Sequence, residues 1–231
     1  MARPRRPDLI QRILDAGEAV LIRDWLTGAQ MSSIAEEAAI GLGTIYYYFA
    51  SREDLLSWVI TRGLRPAVVI PDELPLGPPE WSIEEAIGPL LRVERYLPRV
   101  YEAIDGPPRE PIACELTEVV NEFCEVVEDH DRVQTIVEVC ARDHEEIRRL
   151  WYIDQRRALV ASYSTYFRRR IESGHLCTVD DPEFTARWLI DTTVLFLRYR
   201  HLDYYPNELR SEGLRERVVG MVVNSILGSS C

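Results

Sequence analysis

The 231-residue chain is 46% hydrophobic and 28% charged, the balance of an ordinary globular protein with enough length for one large or two small cores. No uncharged run reaches the ~18 residues that a membrane span needs, and acidic residues interrupt the basic N-terminus before a signal core can form. Five dispersed cysteines, Cys114, Cys124, Cys140, Cys177 and Cys231, fit a reducing compartment better than a disulfide framework, so a cytoplasmic protein with no membrane partner is expected.

Apolar residues recur at helical spacing almost throughout, and no alternating strand pattern of useful length appears. The first helix is predicted over about Pro7 to Leu26, ended by Gly28. A short second helix follows from about Ser32 to Ala39, and Gly41 connects it tightly to a third over Leu42 to Phe49. Two short helices joined by such a turn have the spacing of a helix-turn-helix. Ser51 with Asp54 opens a fourth helix, Arg52 to Leu64, which Pro66 limits. Residues 66 to 111 are proline-rich connectors around a helix opened by the capping box at Ser82 and Glu85. Further helices are predicted over Ile112 to Asp129, Asp131 to Ala141, Glu145 to Ser173, Asp181 to His201 and Ser211 to Leu227. The expected fold is all α.

The net charge of -11 is uneven. Residues 1 to 65 hold eight arginines against eight acids, so the whole excess of acid lies beyond them. Nucleic acid would be repelled by that later part, which leaves the first quarter, with the basic arm Arg3, Arg5 and Arg6, as the part able to touch it. Within it, "IGLGTIYYYFASREDLL" crowds aromatic residues onto one short helix. At about 100° per residue, Ile45 and Phe49 form an apolar face, Gly43, Thr44 and Tyr47 point away from it, and Tyr46 and Tyr48 flank it. The outward side carries no carboxylate and suits an approach to phosphate.

The stretch "QMSSIAEEAAIGLGTIYYYFASREDLL", with "RILDAGEAVLIRDWLTG" before it, resembles the DNA-binding segment of the TetR (tetracycline-repressor-like) family of bacterial regulators over residues 9 to 65. Beyond Pro66 only the architecture is similar. The resemblance implies a helix-turn-helix domain over residues 1–51, a connecting helix over 52–65, and a ligand-binding and dimerisation domain over 66–231. It implies DNA contacts from Ser32, Ser33, Gly43, Thr44, Tyr46, Tyr47, Tyr48 and Arg52: Gly43 and Thr44 towards bases, the tyrosines and Arg52 towards phosphates. Leu42 departs from the family pattern, where that position is frequently polar or basic, and either packs inward or meets a thymine methyl. It also implies pairing of the last two helices with a second copy, through Phe184, Trp188, Leu195 and Phe196 on one and Leu214, Val218, Met221 and Val222 on the other. The expected protein is a homodimeric repressor that binds a palindromic DNA operator and is released by a small, largely apolar or aromatic effector.

For the effector pocket the aromatic candidates are Tyr96, Tyr101, Phe123, Trp151, Tyr152, Tyr163 and Tyr166, although aromatic residues at helical spacing are by default core. Cys140 and His144, four residues apart, share a face if their helix is unbroken, but lack the further ligands a metal needs. With no Gly-rich phosphate loop and no nucleophile elbow, no catalytic residue, metal or cofactor is expected. A helical enzyme or a dimeric interaction module that keeps a vestigial helix-turn-helix is the alternative.

Overall fold

The computed structural model describes residues 7–176, 181–199 and 212–228. They form helices α1 (Pro7–Gly28), α2 (Met31–Glu37), α3 (Leu42–Tyr48), α4 (Arg52–Leu64), α5 (Ile83–Ile87), α6 (Val93–Tyr96), α7 (Pro98–Asp105), α8 (Ile112–Asp129), α9 (Asp131–Asp143), α10 (Glu145–Arg149), α11 (Arg156–Glu172), α12 (Pro182–Leu197) and α13 (Leu214–Gly228). Among the described residues there is no strand, and the β-type pairing is one isolated parallel bridge, Phe49 to Leu76. The all-α expectation is borne out. The arm Arg3, Arg5 and Arg6, together with Cys177, His201 and Cys231, lies outside the described residues.

The caps legible in the sequence form as written. Ser51 accepts from the Asp54 backbone N–H at 3.0 Å. Ser82 and Glu85 exchange reciprocal bonds of 3.1 and 2.9 Å, and Asp181 accepts from the backbones of Glu183 and Phe184. Each satisfies donors that the first turn of a helix leaves without a partner. The long helix expected from Glu145 to Ser173 is instead α10, a π-helical turn over Leu150–Gln155, and α11. The helix after Ser82 is broken by Pro89 and Pro98 into α5, a 3₁₀ turn, α6 and α7.

The chain divides into two compact units. Unit one comprises residues 1–91 and 132–151. Its core is built on Ile13, Leu14, Val20 and Leu21 of α1, Ile34 of α2, Ile45 of α3, Leu55 and Val59 of α4, and Ile136 and Cys140 of α9, all essentially without solvent contact. Burial of each large side chain is worth ~1.5–3 kcal/mol. Helices α1 and α4 approach closely at Gly17, where an added Cβ would lie 2.6 Å from Val59 Cγ2. Helix α9 enters the same core at Gly63, beside Ile136, and Arg132 binds Glu18 with two 2.5 Å bonds.

Unit two comprises residues 92–131 and 152–231. In it α8 lies against α12 and α13, and α11 against α7 and α12. A buried polar cluster sits in its core. Arg170 Nε donates to Glu115 Oε1 at 2.6 Å, and Tyr166 donates its hydroxyl to the same oxygen at 3.1 Å. The Arg109 backbone N–H reaches Glu115 Oε2 at 2.8 Å. Burial pushes the Glu115 carboxyl up, but the bonds from Arg170, Arg109 and Tyr166 outweigh it and hold it below the ordinary carboxylate value.

Candidate functional site

Helices α2 and α3 are joined by a turn in which Ala39 adopts φ 51°, and the Ile40 N–H returns to the Ala35 carbonyl at 3.0 Å. Gly41 precedes α3 in an extended conformation and offers no side-chain cap. Ile45 and Phe49 are fully buried, while Leu42 (43% exposed), Gly43 and Tyr46 (52% exposed) stand in solvent. Thr44 and Tyr47 are half-buried on the same outward side, and on α2 Ser32 is exposed and Ser33 half-buried. Of the expected contact residues, Ser32, Leu42, Gly43 and Tyr46 are thus open to solvent, Ser33 and Thr44 are half-buried, and Tyr47 packs partly against the core of unit one.

Tyr48 is a correction. It is 2% exposed, with its ring edge-on to Tyr47 at 5.2 Å. The buried face of α3 is wider than a helical wheel implies, and the proline-rich connector is bonded to its end, with Leu76 in the same core. The Leu76 N–H donates to the Tyr48 carbonyl at 2.7 Å, the Ala50 N–H donates to the Leu76 carbonyl at 3.4 Å, and Leu76 is itself buried. Trp58 Nε1 fastens the same connector by donating to the Gly77 carbonyl at 2.7 Å. A connector that reads as loop in the sequence therefore holds the end of α3.

Arg52 is the second correction. Its guanidinium turns inward, donating from Nε to the Ala29 carbonyl at 2.6 Å and from Nη2 to the Leu26 carbonyl. It caps the end of α1 and does not face out with Thr44. At that end Trp25 takes φ 65° and ψ 173°, a strained region for a bulky residue, and the Arg142 guanidinium covers its ring at 3.3 Å. Three other cations near Trp25 in sequence or at α4 are also engaged. Arg23 pairs with Asp24 and Glu37, each at 2.9 Å; these hydrogen bonds raise its pKa. Arg62 pairs with Asp15, and Arg65 stacks on Trp81 at 4.2 Å.

The family model for bacterial regulatory proteins, tetR family, matches residues 13–58, which span α1 to the middle of α4. Residues 13–58 are a tetR-family domain. That domain is the DNA-binding helix-turn-helix part of transcription regulators, and α2 and α3 lie within it. No curated protein matches the chain. Among solved structures, a protein from Mesorhizobium loti MAFF303099 assigned as a tetR-family transcriptional regulator is 17% identical, with 98% of each chain covered and a TM-score of 0.50. A TetR-like transcriptional regulator from Rhodococcus sp. RHA1 is 16% identical over 98% of this chain and all of its own, with a TM-score of 0.48. The transcriptional regulator FadR from Bacillus subtilis, in complex with stearoyl-CoA, is 17% identical over 94% and 98%, with a TM-score of 0.46. The first of these extends the tetR-family fold to the whole chain: an N-terminal helix-turn-helix followed by a larger helical part.

The seven expected aromatic residues take different places. Phe123, Tyr163 and Tyr166 are buried in the core. Phe123 packs edge-on to Tyr163 at 5.8 Å, and burial holds the Tyr163 phenol far above its ordinary pKa. Tyr101 bonds Ser162 at 2.8 Å, and Tyr96 stands edge-on to His130 at 5.2 Å. Trp151 packs into unit one; Tyr152 alone is exposed. Of the seven, Phe123, Tyr163 and Tyr166 are thus core residues, and Tyr152 stands at a groove of unit two. The stripes on the last two helices divide as well. Phe184 (69% exposed), Leu195 (56%) and Met221 (44%) face solvent and Trp188 and Phe196 are half-buried, but Leu214, Val218 and Val222 belong to the core of unit two itself. Cys140 is buried within α9, and α9 ends at Asp143, so His144 caps α10 and does not continue the Cys140 face. No group of metal-holding side chains occurs among the described residues, and none of their helices is long and apolar enough to cross a membrane.

Proposed function

We propose that the chain is a cytoplasmic, homodimeric, ligand-responsive transcription regulator, a repressor that leaves a palindromic operator when a small effector with a largely apolar or aromatic body binds. The observation that carries this reading is the division of α3: Ile45, Tyr48 and Phe49 are buried, while Leu42, Gly43 and Tyr46 are open to solvent beside half-buried Thr44 and Tyr47, and the helix carries no carboxylate. Thr44 and the glycine backbone meet base edges, while Ser32, Ser33, Tyr46 and Tyr47 give hydroxyls to phosphates. Leu42 offers a methyl-sized apolar contact to thymine. Residues 1–51 act as the DNA-contacting part, 52–65 as the connecting helix, and 66–231 as the part that binds the effector and a second copy.

Phe184, Leu195 and Met221 support the dimer, because three large apolar side chains on the last two helices are otherwise left in water. A two-fold axis between them would set the recognition helices about 34–36 Å apart, one DNA turn, or a multiple of it. The effector acts by favouring the spacing that does not fit the operator, since a ligand with equal affinity for both spacings shifts nothing. Helix α4 is suited to transmit such a shift: it packs on α1 at Gly17 and takes Ile136 of α9 at Gly63.

Selection of binding sites from a random DNA pool tests the reading, with sedimentation of the free chain alongside. Enrichment of an inverted repeat by a dimeric chain is the expected result. A chain that enriches no sequence, or that turns over a substrate without salt-dependent DNA binding, is not this regulator.

A further inference from the structure

Unit two carries a groove of about 500 Å³ between α11 and α12 whose chemistry differs from that of its surroundings. One wall comes from the π-helical turn that interrupts the expected long helix. That turn leaves Tyr152 and Ile153 48% and 49% exposed at the groove, and π-helical insertions are frequent at functional sites. Arg156, Arg157, Arg168 and Arg187 also line it, against Glu183 as the lining carboxylate. This is a local reversal of charge, since the chain's entire excess of acid lies beyond residue 65.

The arginines are incompletely neutralised. Arg156 and Arg187 share one carboxylate, Asp191, the latter at 3.4 Å. Arg157 has Asp154 at 3.9 Å, and Arg168 has no ion pair among the described residues. Burial, and then the charge of Arg187, pull the Arg156 guanidinium below its ordinary pKa. Ser164, 1% exposed, is also a lining residue, and its hydroxyl has no hydrogen-bond partner among the described residues. Its neighbours on α11 behave differently: Ser162 bonds back to the Ala158 carbonyl and Thr165 to the Ala161 carbonyl. A buried hydroxyl left without a partner calls for one.

We propose that this groove is a binding site for a small organic anion, a carboxylate or phosphate carried on an aromatic or short aliphatic body. Arg168 and Arg187 hold the anionic group, Tyr152 and Ile153 cover the body, and Ser164 supplies a hydroxyl from the floor. Arginine forks match carboxylate and phosphate oxygens, and pockets of ~300–1,000 Å³ are of ligand size. A nucleic acid is the wrong occupant, because the part of the chain that carries the groove holds the whole excess of acid. The site stands independently of the DNA-binding reading.

Calorimetric titration of the full chain with phenyl phosphate, inorganic phosphate and benzyl alcohol tests it. Phenyl phosphate is expected to saturate one site per chain, with each half-probe binding about tenfold or more weakly. Arg168→Glu and Arg187→Glu each lower the phenyl phosphate affinity about tenfold or more, whereas Arg95→Glu, an exposed arginine elsewhere in the unit, leaves it unchanged. Arg168→Glu breaks no ion pair among the described residues, so it tests the site without unfolding it. Ser164→Ala lowers affinity while the melting temperature of the probe-free chain holds or rises; a merely structural serine gives no affinity change. No saturable binding, equal binding of benzyl alcohol, or indifference to Arg168→Glu overturns the proposal.

Discussion

Arg52 Nε lies 2.6 Å from the carbonyl oxygen of Ala29, and its Nη2 reaches the Leu26 carbonyl, so the first residue of α4 closes the last turn of α1. These carbonyls would otherwise lack partners at a helix end, and a guanidinium there also meets the negative pole of the α1 dipole. Arg52→Ala is expected to destabilise the chain by about 1.5–3 kcal/mol, the range for hydrogen bonds involving a charged group. Arg52→Lys recovers only part of this, because a single ammonium does not span both carbonyls. The salt dependence of DNA binding, measured on the folded variant, stays unchanged. A slope smaller by about one would instead return Arg52 to the phosphate backbone.

If Arg23, Arg52, Arg62 and Arg65 are engaged within unit one, phosphate neutralisation by the arginines of residues 1–65 falls to the N-terminal arm and to Arg12, exposed on α1. Replacing Arg3, Arg5 and Arg6 by alanine should reduce the log–log salt slope by up to about 2.7, at about 0.9 for each phosphate no longer neutralised. Fluorescence anisotropy across a salt series measures this directly. A slope that ignores the arm would place the cations elsewhere on the chain.

What is legible in the sequence is local. The caps at Ser51, Ser82 and Asp181 are contained within three or four residues, and the inward turn of Ile45 and Phe49 follows from helical rotation. Arg52 reads wrongly because its partners lie 23 and 26 residues away. Tyr48 reads wrongly because the end of α3 is held by Leu76, 28 residues away in a connector without periodicity. The stripe Leu214, Val218 and Val222 announces an amphipathic helix, but a stripe does not say whether its partner is the same chain or another. The turn at Leu150–Gln155 escapes because one added residue shifts the register of a helix without changing its composition.

The Glu115 carboxyl, held below its ordinary value, gives a prediction with a sign. A carboxyl whose pKa is lowered by folding stabilises the fold above its unfolded pKa, and that stability is lost as pH falls through the folded value. Chemical denaturation should therefore show unit two weakening as pH falls from about 4.5. Glu115→Gln should flatten that acid limb and cost about 3–5 kcal/mol at neutral pH, because Arg170, 2% exposed, loses its ionic partner. An acid limb that survives the substitution would assign it to other carboxyls.

Two glycines, tested as a pair, separate folding from DNA binding. A Cβ at Gly17 meets Val59 Cγ2 at 2.6 Å, and β-branched Val59 has little rotamer freedom with which to yield. Gly17→Ala should therefore cost about 1–3 kcal/mol of overpacking, against a helix-propensity gain of up to about 1 kcal/mol. A Cβ at Gly43 meets nothing within 4 Å, so Gly43→Ala receives the propensity gain alone and should raise the melting temperature. If the backbone of Gly43 approaches the duplex, the same methyl fills the space that DNA requires. A variant that melts higher yet binds the selected operator more weakly is the expected result. Undiminished operator affinity in Gly43→Ala would mean that α3 meets DNA through another face or not at all.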